Sequence, residues 1–340
     1  MEYPSLDKPK AGALRFNTDL TQLEIYDGNQ WTAVLATSPE LQTGGTRGIQ
    51  WNYEPASSIS YFNIATTGNA VSFGSMNSTK DSVGASGDRT RSLFAGGQDP
   101  SNNYINTIVY VTFASTGNSI DFGDMTVNYR SWGSRGSNST RAVFYGGNGS
   151  PSPGYDNNIE YVTVQSTGNA IDFGDRTLNG GVSCGSSPTR TVGGGQYESP
   201  SRTNTIDYVT TSTLGNSADF GDLTSARNDA EAVANSTRSV IGGGGQDSPA
   251  NDQTNTIDYI TIATLGNAKD FGDLTYARQS HSGSSSPTRG VWTNGYRYSP
   301  AGHIVNMDFI NLATIGNAMD FGDAVSAVGN TANSNGRGGL

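Results

Sequence analysis

NTIDYITIATLGNAKDFGDLTYARQSHSGSSSPTR, residues Asn255–Arg289, sets the pattern of this 340-residue chain, because near-copies of it recur almost to the end. Its Gly-Asn pair returns at Gly68, Gly117, Gly168, Gly215, Gly266 and Gly316, in steps of 49, 51, 47, 51 and 50 residues. A second register mark, an Arg usually preceded by Thr, stands at Arg47, Arg91, Arg141, Arg190, Arg238 and Arg289, with Arg337 as a partial seventh. A period of about 50 with strand-like content points to a propeller, whereas a helical solenoid would carry longer apolar stripes at 3.6 spacing.

One copy, from Arg238 to Arg289, reads as four strands: Arg238–Gly242, Asn255–Thr264, Ala268–Leu274 and Arg278–Ser284. In the second strand Ile257 and Tyr259 point one way while Ile260 and Ile262 point mostly the other, so both faces are apolar. A sheet stacked between two neighbours needs that pattern; a strand with one wet face alternates. Thr264-Leu265-Gly266-Asn267 supplies residues that tolerate positive φ in the tight turn between the second and third strands. Near the C-terminus Ala324–Asn335 matches a fourth strand, and Arg47–Trp51 matches a first strand without a predecessor. The expectation is that these two ends complete one blade together and leave no open edge, giving an all-β, six-bladed β-propeller over 44–340.

Outside the array, residues 1–35 read as a small β-meander with strands Ala13–Phe16, Gln22–Asp27 and Gln30–Leu35. Asp27-Gly28-Asn29 is a hairpin-turn signal between the last two. Three strands this short bury little, so the meander is expected to dock on something. Residues 36–43, ATSPELQT, have no periodicity and read as a linker.

Bulk properties exclude several functions. A net charge of −10 and a pI near 4.6 leave no cationic track for a nucleic-acid backbone. The single Cys184 rules out an internal disulfide or a cysteine metal cluster. The opening MEYPSLDKPK has no apolar segment and no run approaches membrane-span length, so a soluble protein without a conventional export signal or membrane insertion is expected. Only 15% of residues are charged and 45 are Gly, but the apolar residues fall at regular places, which argues for short strands and tight turns over disorder.

The most conspicuous charged motif is Asp-Phe-Gly-Asp, at Asp121–Asp124, Asp172–Asp175, Asp219–Asp222, Asp270–Asp273 and Asp320–Asp323, with Ser72–Ser75 in the first unit. The preferred reading is structural: the second Asp closes a turn or pairs with a repeated Arg in a ring of similar ion pairs. Calcium is the minor alternative, and no other cofactor is expected. His281 and His303 lie in different units without catalytic companions, which opposes a triad or a histidine metal site. Runs such as Gly242–Gly245 lack the Lys-Ser/Thr of a phosphate loop and read as packing. Paired acids for glycoside hydrolysis remain open among 30 carboxylates, but these follow the repeat, whereas a catalytic residue should break it. No enzymatic activity is expected.

What varies between units is the loop from the glycine run to the second strand. It reads QDPSNNYI after Gly97, NGSPSPGYDN after Gly147, QYESPSRT after Gly195, QDSPANDQT after Gly245 and YRYSPAGHIV after Gly295. Equivalent positions place these loops on one face of the disc. Tyr104, Tyr155, Tyr197, Tyr296, Arg297 and Tyr298 lie there, with the flat rings and hydrogen-bonding groups that sugars and polar protein surfaces need. They are the candidate ligand-binding residues, and the bland reading is solvated turns with Tyr packed on the rim. The Thr-Leu-Gly-Asn turns and Ser-Ser-Pro-Thr junctions of the opposite face are nearly uniform and read as scaffold.

Three resemblances extend this reading. The repeat resembles kelch-type propellers through its glycine pairs (Gly96-Gly97, Gly146-Gly147, Gly193-Gly194, Gly242-Gly243), a Tyr in the second strand and a basic residue before the fourth. It departs from them in carrying Phe122, Phe173, Phe220, Phe271 and Phe321 for the usual Trp, and in lacking the glycine pair at Trp51-Asn52 and Thr293-Asn294. GALRFNTDLTQLEIYDGNQWTAV resembles a short module of tail-fibre and other virion proteins of tailed bacteriophages, through Gly-x-Leu-Arg-Phe-Asn, Leu-Glu-x-Tyr-x-Gly and Trp31. That likeness implies an attachment element built on Arg15, Phe16, Tyr26 and Trp31. TIDYITIATLGNAKDFGDLTYAR is similar to repeats in large structural proteins of phages, cyanophages among them. Together they imply a virion protein, assembled in the host cytoplasm as a homo-oligomer, whose partners are other virion proteins and a host-surface glycan or receptor. The alternatives are a decoration or neck/connector protein of the particle and a cellular kelch-like lectin or interaction domain.

Overall fold

The computed structural model describes residues 9–17, 22–33, 46–52, 57–78, 80–130, 136–149, 154–198, 200–247, 252–327 and 329–339. The proposed linker at 36–43 lies outside them. Among the described residues the chain is all-β, with no α-helix and one 3-10 turn at Arg337–Gly339. It divides into two compact units, Met1–Gln42 and Thr43–Leu340.

In the first unit Leu14–Asn17, Gln22–Tyr26 and Trp31–Ala33 form an antiparallel sheet in chain order. The Asp27 carboxylate accepts hydrogen bonds from the backbone N–H of Asn29 and Gln30, both at 2.7 Å, which closes the last hairpin and holds its own pKa below the usual range.

In the second unit six antiparallel sheets, numbered I to VI by their Arg strands Arg47–Asn52, Arg91–Ala95, Arg141–Gly149, Arg190–Gly194, Arg238–Gly242 and Arg289–Thr293, follow one plan. Sheet V shows it: a lead strand Glu231–Ala234, an Arg strand Arg238–Gly242, a Tyr strand Thr256–Thr261 and a Phe strand Lys269–Asp273, bonded in that order. This corrects the framing expected from the sequence. Arg278–Ser284 was expected to be the fourth strand of the unit that begins at Arg238. Instead Ser282–Ser285 pairs with Arg289–Thr293 and leads the next sheet. The reason is local: in Ser286–Arg289 the Ser286 hydroxyl accepts from the N–H of Thr288 and Arg289, tying a tight hairpin between the two strands. The first sheet takes its lead strand from the C-terminus, Gly329–Ser334 pairing antiparallel with Arg47–Asn52.

Each sheet is apolar on both faces. From sheet V, Val240, Ile257 and Phe271 join one core with Trp292 and Ile310 of sheet VI, while Ala232, Ile241 and Ile260 join another with Val192, Ile206 and Phe220 of sheet IV. Within the sheet Arg238 stacks over Tyr259 at 5.1 Å, and Tyr259 meets Phe271 edge-on at 5.8 Å. The stack recurs in all six sheets, with Phe309 in place of Tyr in the last. The register-marking Arg is therefore a cation–π partner, and the expected ion pairing with Asp-Phe-Gly-Asp does not form.

Three sets of hydrogen bonds link the sheets. At the Phe strand the second Asp of Asp-Phe-Gly-Asp, or Ser75, donates its backbone N–H to the Asn of the next unit's Gly-Asn turn: Ser75 to Asn118, Asp124 to Asn169, Asp175 to Asn216, Asp222 to Asn267, Asp273 to Asn317 and Asp323 to Asn69. The register-marking Arg reaches a carbonyl of the following sheet, from Arg47 to Phe113 round to Arg289 to Ala65. The lead strands, GASG, GS, CGS, EAVA, SGSS and GNTANS, are built of small residues and come close enough to exchange side-chain-to-backbone bonds. Examples are Ser86 Oγ to the Gly136 carbonyl, Ser285 Oγ to the Ala234 carbonyl and Asn333 Nδ2 to the Ser86 carbonyl. All three sets pass from sheet to sheet in order and return from sixth to first. The last turn, Arg337–Gly339, packs on the lead strands of sheets IV, V and VI. Arg337 is buried and donates to the Cys184 carbonyl, so it departs from the role of the other register marks.

Buried ion pairs use other residues than those expected: Arg176–Asp207, Arg227–Asp258 and Arg278–Asp308, at 3.2, 2.9 and 2.9 Å. Each Asp comes from a Tyr strand. The Asp-Phe-Gly-Asp carboxylates stay exposed or half-buried. In sheet II the acid's place is taken by Val109 and the cation's by Lys80. Lys80 is buried, bonds Thr107 Oγ1 at 3.1 Å, and burial lowers its pKa to about 8. The folded state thus binds fewer protons than the unfolded chain between about pH 8 and 10.5, and stability gained from this group rises with pH across that window. Lys80→Met should raise the melting temperature at pH 7 and remove the extra stability, on the order of 2–3 kcal/mol, that the wild type gains on going to pH 10.5. Denaturant titrations of both proteins at the two pH values check this; equal pH dependence would refute it.

Candidate functional site

The loops that vary between units are largely hairpins. In sheet III the Arg and Tyr strands extend as one long hairpin, Arg141–Gly149 with Gly154–Thr163. Sheets IV, V and VI add small ones: Tyr197–Glu198 with Ser201–Arg202, Gly245–Gln246 with Asp252–Gln253, and Tyr296–Tyr298 with Ala301–His303. Each leaves the Arg strand through a left-handed residue. Gly96, Gly146, Gly195 and Gly243 hold φ between 66 and 75°, and Asn294 supplies 62° where the glycine pair is missing.

The hairpins are fastened to one another. Arg202 binds the Asp247 carboxylate at 2.5 Å and the Asn228 amide at 2.5 Å, tying hairpin IV to sheet V. Gln253 donates to the Tyr296 carbonyl and accepts from the Tyr298 N–H, both at 2.8 Å, tying V to VI. Arg202, Asp247 and Gln253 were not among the residues expected to matter. The signal was their place in the variable loops, but their partners lie 26–45 residues away.

The candidate residues fall into two groups and one outlier. Tyr155 and Tyr197 come together with ring centroids 6.1 Å apart. Tyr296 meets Tyr298 at 5.6 Å and His303 at 5.2 Å, while Arg297 lies over Tyr276 at 4.4 Å. Tyr276 belongs to this second patch and was missed, because it follows the Phe strand and not the variable loop. Tyr104 stands apart in sheet II, bridged to Gln98. In the N-terminal unit Arg15 binds Glu24 at 2.7 Å and stacks on Trp31 at 4.3 Å, with Tyr26 at 5.4 Å from Trp31. Phe16 points to the other face, where it is 61% exposed beside the exposed Leu14, Leu23 and Ile25.

Beside the first tyrosine pair lies a recess of about 200 Å³, lined by segments of sheets III to VI. Its aromatic wall is Tyr155 and Tyr197; Asp229, Glu231, Ser183, Ser280 and His281 complete much of the lining. These last residues precede or open the lead strands, and Asp229 and Ser280 both sit at φ 52°, a left-handed conformation uncommon for residues other than glycine. His281 is buried, and neither ring nitrogen makes an aligned hydrogen bond. Burial, then the charge of Arg278, holds it well below the usual histidine range against the backbone of Gly242, so the ring is neutral at pH 7.

Compared with known proteins, the chain matches no protein-family model and no curated protein. Among the described residues, no three His, Cys, Asp or Glu side chains gather as a metal site, and the Asp residues of each Asp-Phe-Gly-Asp are exposed or half-buried.

Proposed function

We propose that the six sheets are the blades of a six-bladed β-propeller and that the protein is a non-enzymatic structural component of a tailed-phage virion, presenting its hairpin face to a host-surface glycan or receptor. The architecture rests on three sets of bonds that each return from the sixth sheet to the first. One observation carries the binding role: the face whose sequence differs between repeats holds exposed aromatic clusters on hairpins fixed by Arg202 and Gln253, while the opposite face repeats itself. Rigid aromatic and amide groups on a fastened rim lose little entropy on binding, as recognition surfaces require. The phage assignment rests on the wording of the meander and of the repeat. The meander, with its exposed Leu14, Phe16, Leu23 and Ile25, is the element that joins other virion proteins.

The test is competition. Purified full-length protein should coat intact host cells and block adsorption of the phage that carries it. The double variant Tyr296→Ala/Tyr298→Ala should lose at least tenfold in cell binding with an unchanged melting temperature. Protein that joins particles but binds no cells would make it a decoration or connector protein and end the receptor reading.

A further inference from the structure

The recess beside Tyr155 and Tyr197 has a defined composition. Two tilted aromatic rings form one wall, and Tyr155 is 44% exposed, so its ring is available to an incoming molecule. The same lining includes the acids Asp229 and Glu231 and the hydroxyl residues Ser183 and Ser280. His281 lines the same space, 3% exposed, with neither ring nitrogen in an aligned hydrogen bond and only the Gly242 backbone beside it. A buried polar group without a partner is costly, and a neutral imidazole offers one donor and one acceptor. A hydroxyl group, itself donor and acceptor, satisfies either.

We infer that this recess binds one neutral pyranose residue at the end of a glycan, stacked on Tyr155 and hydrogen-bonded to Asp229, Glu231 and His281. Carboxylates accept strong hydrogen bonds from sugar hydroxyls, and aromatic faces suit the apolar side of a pyranose. Two carboxylates in a protein of net charge −10 oppose an acidic sugar. An ammonium would suit the acids but could accept no hydrogen bond from the imidazole N–H. The volume, about 200 Å³, falls below the roughly 300–1,000 Å³ typical of pockets for larger ligands, which favours a single ring over a chain. This inference builds on the host-surface reading and narrows it to a ligand class and a position.

Saturation-transfer NMR and calorimetry on the full-length protein test it, with glucose, galactose, mannose and N-acetylglucosamine as neutral probes, glucuronic acid as an acidic one and ethanolamine as an amine. At least one neutral sugar should bind and the acid and amine should not. Tyr155→Ala and Asp229→Asn should each weaken that binding at least tenfold; Asn tolerates the left-handed backbone at this position, so the second variant keeps the fold. Leu265→Ala, at an exposed turn outside the recess and away from the variable hairpins, should leave sugar affinity unchanged. No neutral sugar bound, binding indifferent to both recess variants, or selective binding of the acid or the amine would each overturn the inference. Sugar binding in the recess by a protein that ignores host cells would instead refute the host-surface reading and leave the site standing. Cell binding that both recess variants leave intact would do the opposite.

Discussion

Asp258→Asn is expected to destabilise the protein by about 3–5 kcal/mol. Arg227 and Asp258 are both fully buried, 2.9 Å apart. The carboxylate also accepts from the N–H and hydroxyl of Thr224 in the preceding sheet, while Arg227 reaches the Ile241 carbonyl. Burial pushes the guanidinium pKa down, and the Asp258 charge beside it pulls it back. Neutralising the acid therefore strands a buried cation with no water to receive it. The double change Arg227→Met/Asp258→Leu removes both charges and should recover most of the loss, since a well-packed apolar pair is often no less stable than a buried ion pair. Urea unfolding of the two variants and the wild type gives the comparison. A loss below about 1 kcal/mol for Asp258→Asn would show that water reaches the pair.

Gly221→Ala should cost on the order of 3 kcal/mol, more than Gly266→Ala, although the two glycines have almost the same φ. Gly221 has φ 143°, and a Cβ there would fall 2.6 Å from the carbonyl carbon and oxygen of Gly266 in the next unit. Backbone against backbone cannot yield as a side-chain tip can. Gly266 has φ 146° but nothing within 4 Å of its Cβ position, so Gly266→Ala reports the conformational cost alone. The difference between the variants isolates the inter-sheet contact. Equivalent approaches occur at Gly74, Gly123, Gly174, Gly272 and Gly322, the last against Gly68. Equal losses in the two variants would mean that the sheets can separate at this rim.

This pair of glycines also shows how far the sequence could be read. The period, the strand positions and the two-faced apolar pattern are local properties, visible as spacing and alternation, and they sufficed to give an all-β chain with a distinct N-terminal piece. The Gly-Asn turn was legible as a turn because positive φ is a property of the residue itself. That its Asn caps the preceding sheet, and that a Gly about 45 residues earlier makes room for the carbonyl of its Gly, was not, since both depend on which backbones meet.

The same limit explains the errors. Counting from the Arg mark gives a consistent repeat, but a repeat can be cut at any phase; only pairing shows that Ser282–Ser285 leads the following sheet. The repeated acids and the repeated Arg suggested each other as partners because both recur. In the fold the Arg found an aromatic ring, and the buried charges were paired by less regular residues, with Arg176 and Arg227 reaching equivalent acids from different positions. The candidate tyrosines were visible as exceptions to the repeat, yet their sorting into a recess and a rim patch, and the entry of Glu231, His281 and Tyr276, was decided by tertiary structure. Sequence alone determined where the chain is regular and where it departs from its own rule, because propensity and burial act on neighbours. Which departures lie together was settled only when the sheets were assembled, because distance in space is set by packing and not by the interval along the chain.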